Sequence, residues 1–136
     1  MSGDPSAATP HPLRILLVDD DMEVGEALAM VLRREGHVVA CAPSGRDALD
    51  HLAAGPAVDV VLTDLGMPDV NGWEVARVAK ERMPELPVGL VTGWADDVDL
   101  ATAVERATVD FILAKPVDRP TLTAALAAVV ARARAA

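Results

Sequence analysis

The sequence predicts an α/β protein: a doubly wound (βα)5 fold with a five-stranded parallel sheet and helices on both faces. Three observations predict it. Short aliphatic runs alternate five times with stretches of helical periodicity. The runs are apolar at consecutive rather than alternating positions, as in strands buried on both faces. Each strand-plus-helix unit takes about twenty to twenty-five residues, which suits right-handed βαβ crossovers and leaves no room for an inserted subdomain. In such open sheets ligands gather beyond the carboxyl ends of the strands, so the residues ending each strand are the first candidates for function.

Residues 1–12 carry three prolines among small polar residues and are expected to form a flexible tail ahead of a domain at 13–135. Leu13 to Val18 is the first strand and runs into Asp19-Asp20-Asp21. Val24, Ala27, Leu28, Val31 and Leu32 then form one helical stripe, and Gly36 ends that helix. His37 to Cys41 reads as the second strand. Ser44 is the expected N-cap of the second helix, with Asp47 in its first turn and Gly55-Pro56 closing it. The valine-rich run from Val58 stops at Asp64, where Gly66 and Pro68 forbid strand or helix from continuing.

Asn71-Gly72 precedes a helix whose inner face is Val75, Val78 and Ala79, with Trp73 as packing near its start. Val88 to Thr92 is the fourth strand. The fourth helix, from the acidic start Asp96-Asp97 to about Arg106, has the weakest apolar stripe and is expected to be the least firmly docked. Val109 to Ala114 is the fifth strand, stopped by Lys115-Pro116. Asp118 is the expected cap of the last helix, which lines up Leu122, Ala125, Leu126, Val129 and Val130.

Composition narrows the function. The chain has 136 residues, 51% hydrophobic and 24% charged, as expected of one soluble globular domain. Its net charge of −9 argues against sequence-independent nucleic-acid binding, which needs a basic footprint. No apolar run approaches the roughly 18 residues of a membrane helix and no signal segment opens the chain, so a cytoplasmic location is expected. Cys41 is alone, and His11, His37 and His51 lack metal-ligand spacing.

Four of the five strands end in a reactive or polar residue: Asp19 and Asp20 after the first, Asp64 after the third, Thr92 at the end of the fourth and Lys115 after the fifth. Parallel strands put all these ends on one edge. Carboxylates gathered there repel one another by about 4 kcal/mol per pair at 4 Å and an effective dielectric of 20. A hard divalent cation such as Mg²⁺ relieves that repulsion, and Lys115 adds a second positive charge. A metal-dependent, anion-tolerant carboxylate site suggests phosphoryl transfer with a carboxylate nucleophile. Asp64, the lone acid at its strand end, is the natural nucleophile, and Asp19 and Asp20 are the metal-holding pair.

Ile15-Leu16-Leu17-Val18-Asp19-Asp20-Asp21, Leu62-Thr63-Asp64-Leu65-Gly66-Met67-Pro68-Asp69-Val70-Asn71-Gly72, Val91-Thr92-Gly93 and Lys115-Pro116 together resemble the receiver domain of two-component response regulators. The resemblance covers residues 13–135. It implies the flavodoxin-like strand order 2-1-3-4-5. It implies that Asp64 accepts a phosphoryl group from a phosphohistidine on a sensor histidine kinase or histidine phosphotransfer protein. It also implies Mg²⁺ held directly by Asp20 and Asp64, by Asp19 through water, and by the backbone carbonyl of Gly66. Thr92 and Lys115 would bind phosphoryl oxygens, helped by backbone N–H groups near Leu65, Gly66 and Gly93, and the Lys115-Pro116 bond is a candidate for cis. Since the fourth helix is the least firmly docked, the fourth helix, fifth strand and fifth helix are the expected contact face, for a downstream partner or a weak homodimer.

Two departures matter. Receivers usually carry Tyr or Phe three residues before the lysine, whereas this chain has Ile112 there and Phe111 one place earlier, on the opposite face of an alternating strand. Thr108 stands where a glycine often precedes the fifth strand, which alters the turn but not the chemistry.

Alternative readings are an Asp-nucleophile phosphatase and a degenerate binding module that takes no phosphate. The phosphatase signature Asp-x-Asp-x-Thr fails at Glu23, and the intact acidic pair with Asp64, Thr92 and Lys115 speaks against degeneration. A flavin site is disfavoured, since three aspartates after the first strand would repel the cofactor phosphate. The chain reads either as a stand-alone regulator or as the terminal receiver of a hybrid kinase. Trp94, two residues past Thr92, is placed to hinder water at the acyl phosphate. Trp94→Ala is expected to speed dephosphorylation, measured by loss of label from the phosphorylated protein, and an unchanged rate removes that role.

Overall fold

A computed structural model describes residues 12–55, 57–93 and 102–135. The expected tail at 1–11, Trp94 and most of the expected fourth helix lie outside these described residues. The strands are β1 (Arg14–Val18), β2 (Val38–Ala42), β3 (Val60–Thr63), β4 (Val88–Thr92) and β5 (Phe111–Ala114). They form one sheet, all neighbours parallel, in the order β2-β1-β3-β4-β5. That is the order the family resemblance implies. The helices are α1 (Met22–Arg34), α2 (Gly45–Ala54), α3 (Gly72–Arg82), α4 (Ala103–Ala107) and α5 (Arg119–Ala135).

Consecutive apolar residues along each strand alternate between two cores. Leu16, Val18, Val61 and Val88 pack with Ala48 of α2 and Val75, Ala76 and Ala79 of α3. Ile15, Leu17, Val60, Leu62, Val91 and Leu113 pack with Ala29 and Leu32 of α1 and Leu122, Leu126 and Val129 of α5. Both faces of the sheet are therefore covered, which is why its strands lack a polar face. Trp73 is buried beside Leu65 and Leu90, as packing near the start of α3. The helix caps follow the local chemistry: Ser44 accepts from Asp47 N–H, Asn71 from Glu74 N–H, and Asp118 from Thr121 N–H. Gly55 ends α2 with φ 96°, a left-handed cap open to glycine.

The inner face of α1 differs from the expected stripe. Gly25, Ala29 and Leu32 are buried and Leu28 and Val31 half-buried, whereas Val24 is 39% exposed and Ala27 also faces out. Periodicity fixes the spacing of the stripe, but packing fixes its phase. A Cβ at Gly25 would lie 3.5 Å from Asp19 Cβ, an ordinary contact distance, so this turn of the helix packs beside the end of β1.

Four of the strands also begin later than expected, β4 alone starting at Val88 as expected, because side chains take over the ladder at the opposite edge of the sheet. His37, Asp59 and Asp110 each stand one residue before a strand. Leu13 N–H donates to His37 Nδ1 (3.0 Å), Arg14 N–H to Asp59 Oδ2 (2.7 Å) and Val88 N–H to Asp110 Oδ2 (2.7 Å). The Arg14 guanidinium bonds the Asp59 carboxylate as well and holds it below the usual carboxylate range. Thr108 closes α4 by donating its hydroxyl to the Glu105 carbonyl (2.6 Å). On the far side of the molecule Glu35, at the end of α1, accepts from Thr123 of α5 (2.6 Å) and ties those two helices together.

Phe111 and Ile112 point to opposite faces, as alternation requires. Phe111 packs in the core between the sheet and the α1/α5 layer, while Ile112 is 40% exposed. Gly89 is the register partner of Phe111, and a Cβ at Gly89 would overlap the phenyl ring. Gly89→Ala is expected to destabilise the fold by about 1–3 kcal/mol through overpacking. Adding Phe111→Leu should recover part of that loss. Urea midpoints of the two variants decide it, and an unchanged midpoint for Gly89→Ala contradicts the packing described.

Candidate functional site

Asp19 and Asp64 are the first residues beyond β1 and β3. Val18 and Thr63, which precede them, are register partners on neighbouring strands, so the two side chains leave the sheet about 5 Å apart. Backbone bonds fix both: Asp19 N–H donates to the Ala42 carbonyl (3.1 Å) and Asp64 N–H to the Val18 carbonyl (2.8 Å). Asp19 and Asp64 are buried and Asp20 is exposed, and one carboxylate oxygen from each lies within 4.8 Å of the other two. Three hard oxygen donors at that spacing fit a divalent cation of the Mg²⁺ type.

Lys115 comes from β5, which β4 separates from β3, so its side chain must cross about 10 Å of sheet. It does so. Nζ lies 2.9 Å from Asp19 Oδ2 and 3.4 Å from Asp64 Oδ2. Burial works to lower the Lys115 pKa, but the bond to Asp19 and the charges of both aspartates outweigh it, and the net shift is upward. The ammonium therefore persists through the neutral range. Burial pushes the Asp64 carboxyl above its ordinary value, Asp19 adds to that, and Lys115 and the Leu65 N–H oppose it.

The neighbouring loop is shaped to hold this carboxylate. Leu65 N–H donates to Asp64 Oδ1 (2.8 Å), and Gly72 N–H donates to the Leu65 carbonyl (2.9 Å). A Cβ at Gly72 would overlap the Asp64 carbonyl oxygen, so only glycine lets α3 start this close to the site. Asp69 adopts φ 68° in the same loop and pairs with Arg46 of α2 (3.2 Å). The Lys115-Pro116 bond is cis.

Among the residues expected to act, the structure brings Asp19, Asp20, Asp64 and Lys115 into one cluster. Thr92 is buried at the end of β4, where its carbonyl accepts the Lys115 N–H (2.9 Å). Gly66 lies in the exposed part of the loop, two residues past Asp64. A cleft of about 180 Å³ opens beside Asp19, between Met22 and Glu26 of α1 and Cys41 and Ala42 of β2. Three contributors escaped the sequence reading. Asp21 caps α1 by accepting from Val24 N–H (3.2 Å) and gives its own N–H to Asp19 Oδ1 (2.9 Å). Its place before a helical stripe was a usable N-cap signal. Thr63 donates its hydroxyl to the carbonyl of the next residue, Asp64, a bond set by rotamer rather than by pattern, and the closeness of Gly72 depends on how the loop folds back.

A family model described as the response regulator receiver domain matches residues 15–127. This chain belongs to that receiver family. It is 36% identical over 118 residues to the transcriptional regulatory protein AfsQ1 of Streptomyces coelicolor, covering 87% of this chain and 51% of that protein. The chain spans about half the length of the curated relatives it matches, with 51% and 52% of two of them covered. A receiver domain protein from Clostridium thermocellum superposes with a TM-score of 0.80 at 26% identity, covering 90% of this chain and 97% of that one. The response regulator TrrA from Thermotoga maritima, solved with Mg²⁺ and BeF, superposes with a TM-score of 0.78 at 26% identity, covering 86% and 98%. Receiver domains of two-component systems bind Mg²⁺ in an acidic pocket and take phosphoryl groups from histidine kinases. Among the described residues, no helix is long and apolar enough to cross a membrane.

The opposing influences on Asp64 set a direct test. In the metal-free receiver, Lys115→Ala is expected to move the Asp64 carboxyl further above the ordinary carboxylate range, because it removes an influence that lowers it and leaves Asp19 in place. A pH titration of the carboxyl carbon by NMR reads this, and a downward or absent movement contradicts it.

Proposed function

We propose that this receiver accepts a phosphoryl group on Asp64 from the phosphohistidine of a sensor histidine kinase or phosphotransfer protein, in a Mg²⁺-dependent reaction, and so switches its protein contacts. The observation that carries the reading is the position of Lys115 Nζ, held between Asp19 and Asp64 inside the acidic cluster. An Asp64 oxygen forms the bond to phosphorus as the bond from phosphorus to the imidazole nitrogen breaks, and the imidazole leaves with the electron pair. Asp20 and Asp64, with Asp19 and the Gly66 carbonyl beside them, would hold the cation. When bound, the cation supplies positive charge that screens the carboxylates and the incoming phosphoryl oxygens. Lys115 and the Thr92 hydroxyl hold those oxygens in place.

The domain spans residues 13–135, acts in the cytoplasm and turns over no external metabolite in this reading. Its output goes through protein contacts, either from a stand-alone regulator or from the end of a hybrid kinase. The face of α4, β5 and α5, with Val104 and Ile112 exposed, is the surface proposed for the downstream partner or a weak homodimer.

Incubation with acetyl phosphate and Mg²⁺ tests the reading by mass spectrometry. One phosphoryl group is expected on the wild-type chain, and none on Asp64→Asn or in the presence of EDTA. Steady release of phosphate from metabolites would favour the Asp-nucleophile phosphatase instead. No gain in mass at all would favour the degenerate binding module.

A further inference from the structure

Thr63 is the last residue of β3 and is wholly buried, with register partners on both sides in Val18 and Leu90. Its hydroxyl donates to the carbonyl oxygen of Asp64 (2.9 Å). That carbonyl belongs to the peptide unit whose other end, Leu65 N–H, donates to Asp64 Oδ1 (2.8 Å). On its remaining side the carbonyl faces the Gly72 backbone at a distance that excludes a Cβ. One peptide is thus held at its oxygen by a buried hydroxyl, while its N–H holds the carboxylate expected to react.

We propose that Thr63 is a positioning residue for phosphoryl acceptance, fixing and polarising the Asp64–Leu65 peptide so that Leu65 N–H holds the Asp64 carboxylate in its reactive orientation. A hydrogen bond accepted at a peptide oxygen strengthens the N–H of the same peptide as a donor, by about 10–30% per bond. The effect is local and electrostatic, and Thr63 itself, wholly buried and bonded to the Asp64 carbonyl, does not touch the phosphoryl group. Valine fills nearly the volume of threonine, so Thr63→Val removes the hydroxyl with little change in packing. The inference rests on Asp64 being the acceptor, and its test separates the two.

The full chain with acetyl phosphate and Mg²⁺ provides the assay. Thr63→Val is expected to lower the maximal rate of phosphorylation by about three- to tenfold, the equivalent of one neutral hydrogen bond. The half-saturating concentrations of acetyl phosphate and Mg²⁺ should stay within about twofold of wild type, the signature of lost orientation rather than lost binding. Thr63→Ser should restore the rate. In the unphosphorylated protein the Leu65 amide proton should move upfield in Thr63→Val and return in Thr63→Ser. Thr63→Ala serves for the same comparison if the valine variant does not fold. An unchanged Leu65 resonance, an unchanged maximal rate, or a serine variant as slow as valine overturns the proposal. Phosphorylation that survives in Asp64→Asn overturns the acceptor assignment instead, while the Leu65 resonance still reports on the peptide.

Discussion

The site depends on the alignment of two neighbouring parallel strands. Because Val18 and Thr63 are paired across β1 and β3, the next residue of each, an aspartate, leaves the sheet beside the other. Neither carboxylate can retreat, since the backbone N–H of each is bonded into the adjacent strand. Two buried charges so placed repel by an amount on the order of 4 kcal/mol at 4 Å and an effective dielectric of 20. The sheet therefore holds an electrostatic conflict that only positive charge can relieve, and Lys115 reaches from β5 to supply part of it. Burial is the main cause of the raised Asp64 pKa, and the repulsion from Asp19 adds to it against the pull of Lys115.

The same conflict makes the cluster receptive. A carboxylate that is desolvated and crowded gains more from a divalent cation than one in water, because less solvation is lost on coordination. The loop from Asp64 to Gly72 then decides orientation. Its first peptide is gripped by Leu65 N–H on the carboxylate, by the Thr63 hydroxyl on the carbonyl, and by the close approach of α3 at Gly72. The strand ends place the charges, and the last residue of β3 together with the start of α3 fixes the geometry.

The fifth strand sends its aromatic and its neighbour to opposite faces. The fifth-strand aromatic lies on the α5 side, its ring over Gly89, and the neighbouring position toward the other face is the half-exposed Ile112. A ring fixed in the core is poorly placed to swing toward Thr92. Any response that passes through β5 must move a branched aliphatic side chain, or the strand itself.

Much of this was legible in the amino-acid order. Consecutive apolar residues, turn residues at regular intervals and caps such as Ser44 and Asp118 determined the five strand–helix units, because those signals act over a few residues. The strand-end residues Asp19, Asp20, Asp64, Thr92 and Lys115 were legible too, since a parallel sheet sends all carboxyl ends to one edge. The rotation of α1 that turns Gly25 inward was not, because periodicity carries no phase and the packing of Ala29 and Leu32 into the core sets it. Nor were the side-chain caps of His37, Asp59 and Asp110, whose partners lie 22 to 45 residues away along the chain. Local order alone determined which elements form and which chemistry stands at their ends. Tertiary structure alone decided how far apart the carboxylates sit, how closely Lys115 Nζ approaches each of them and how near α3 starts to the Asp64 carbonyl, because each of those is a contact between segments that the backbone brings together only on folding.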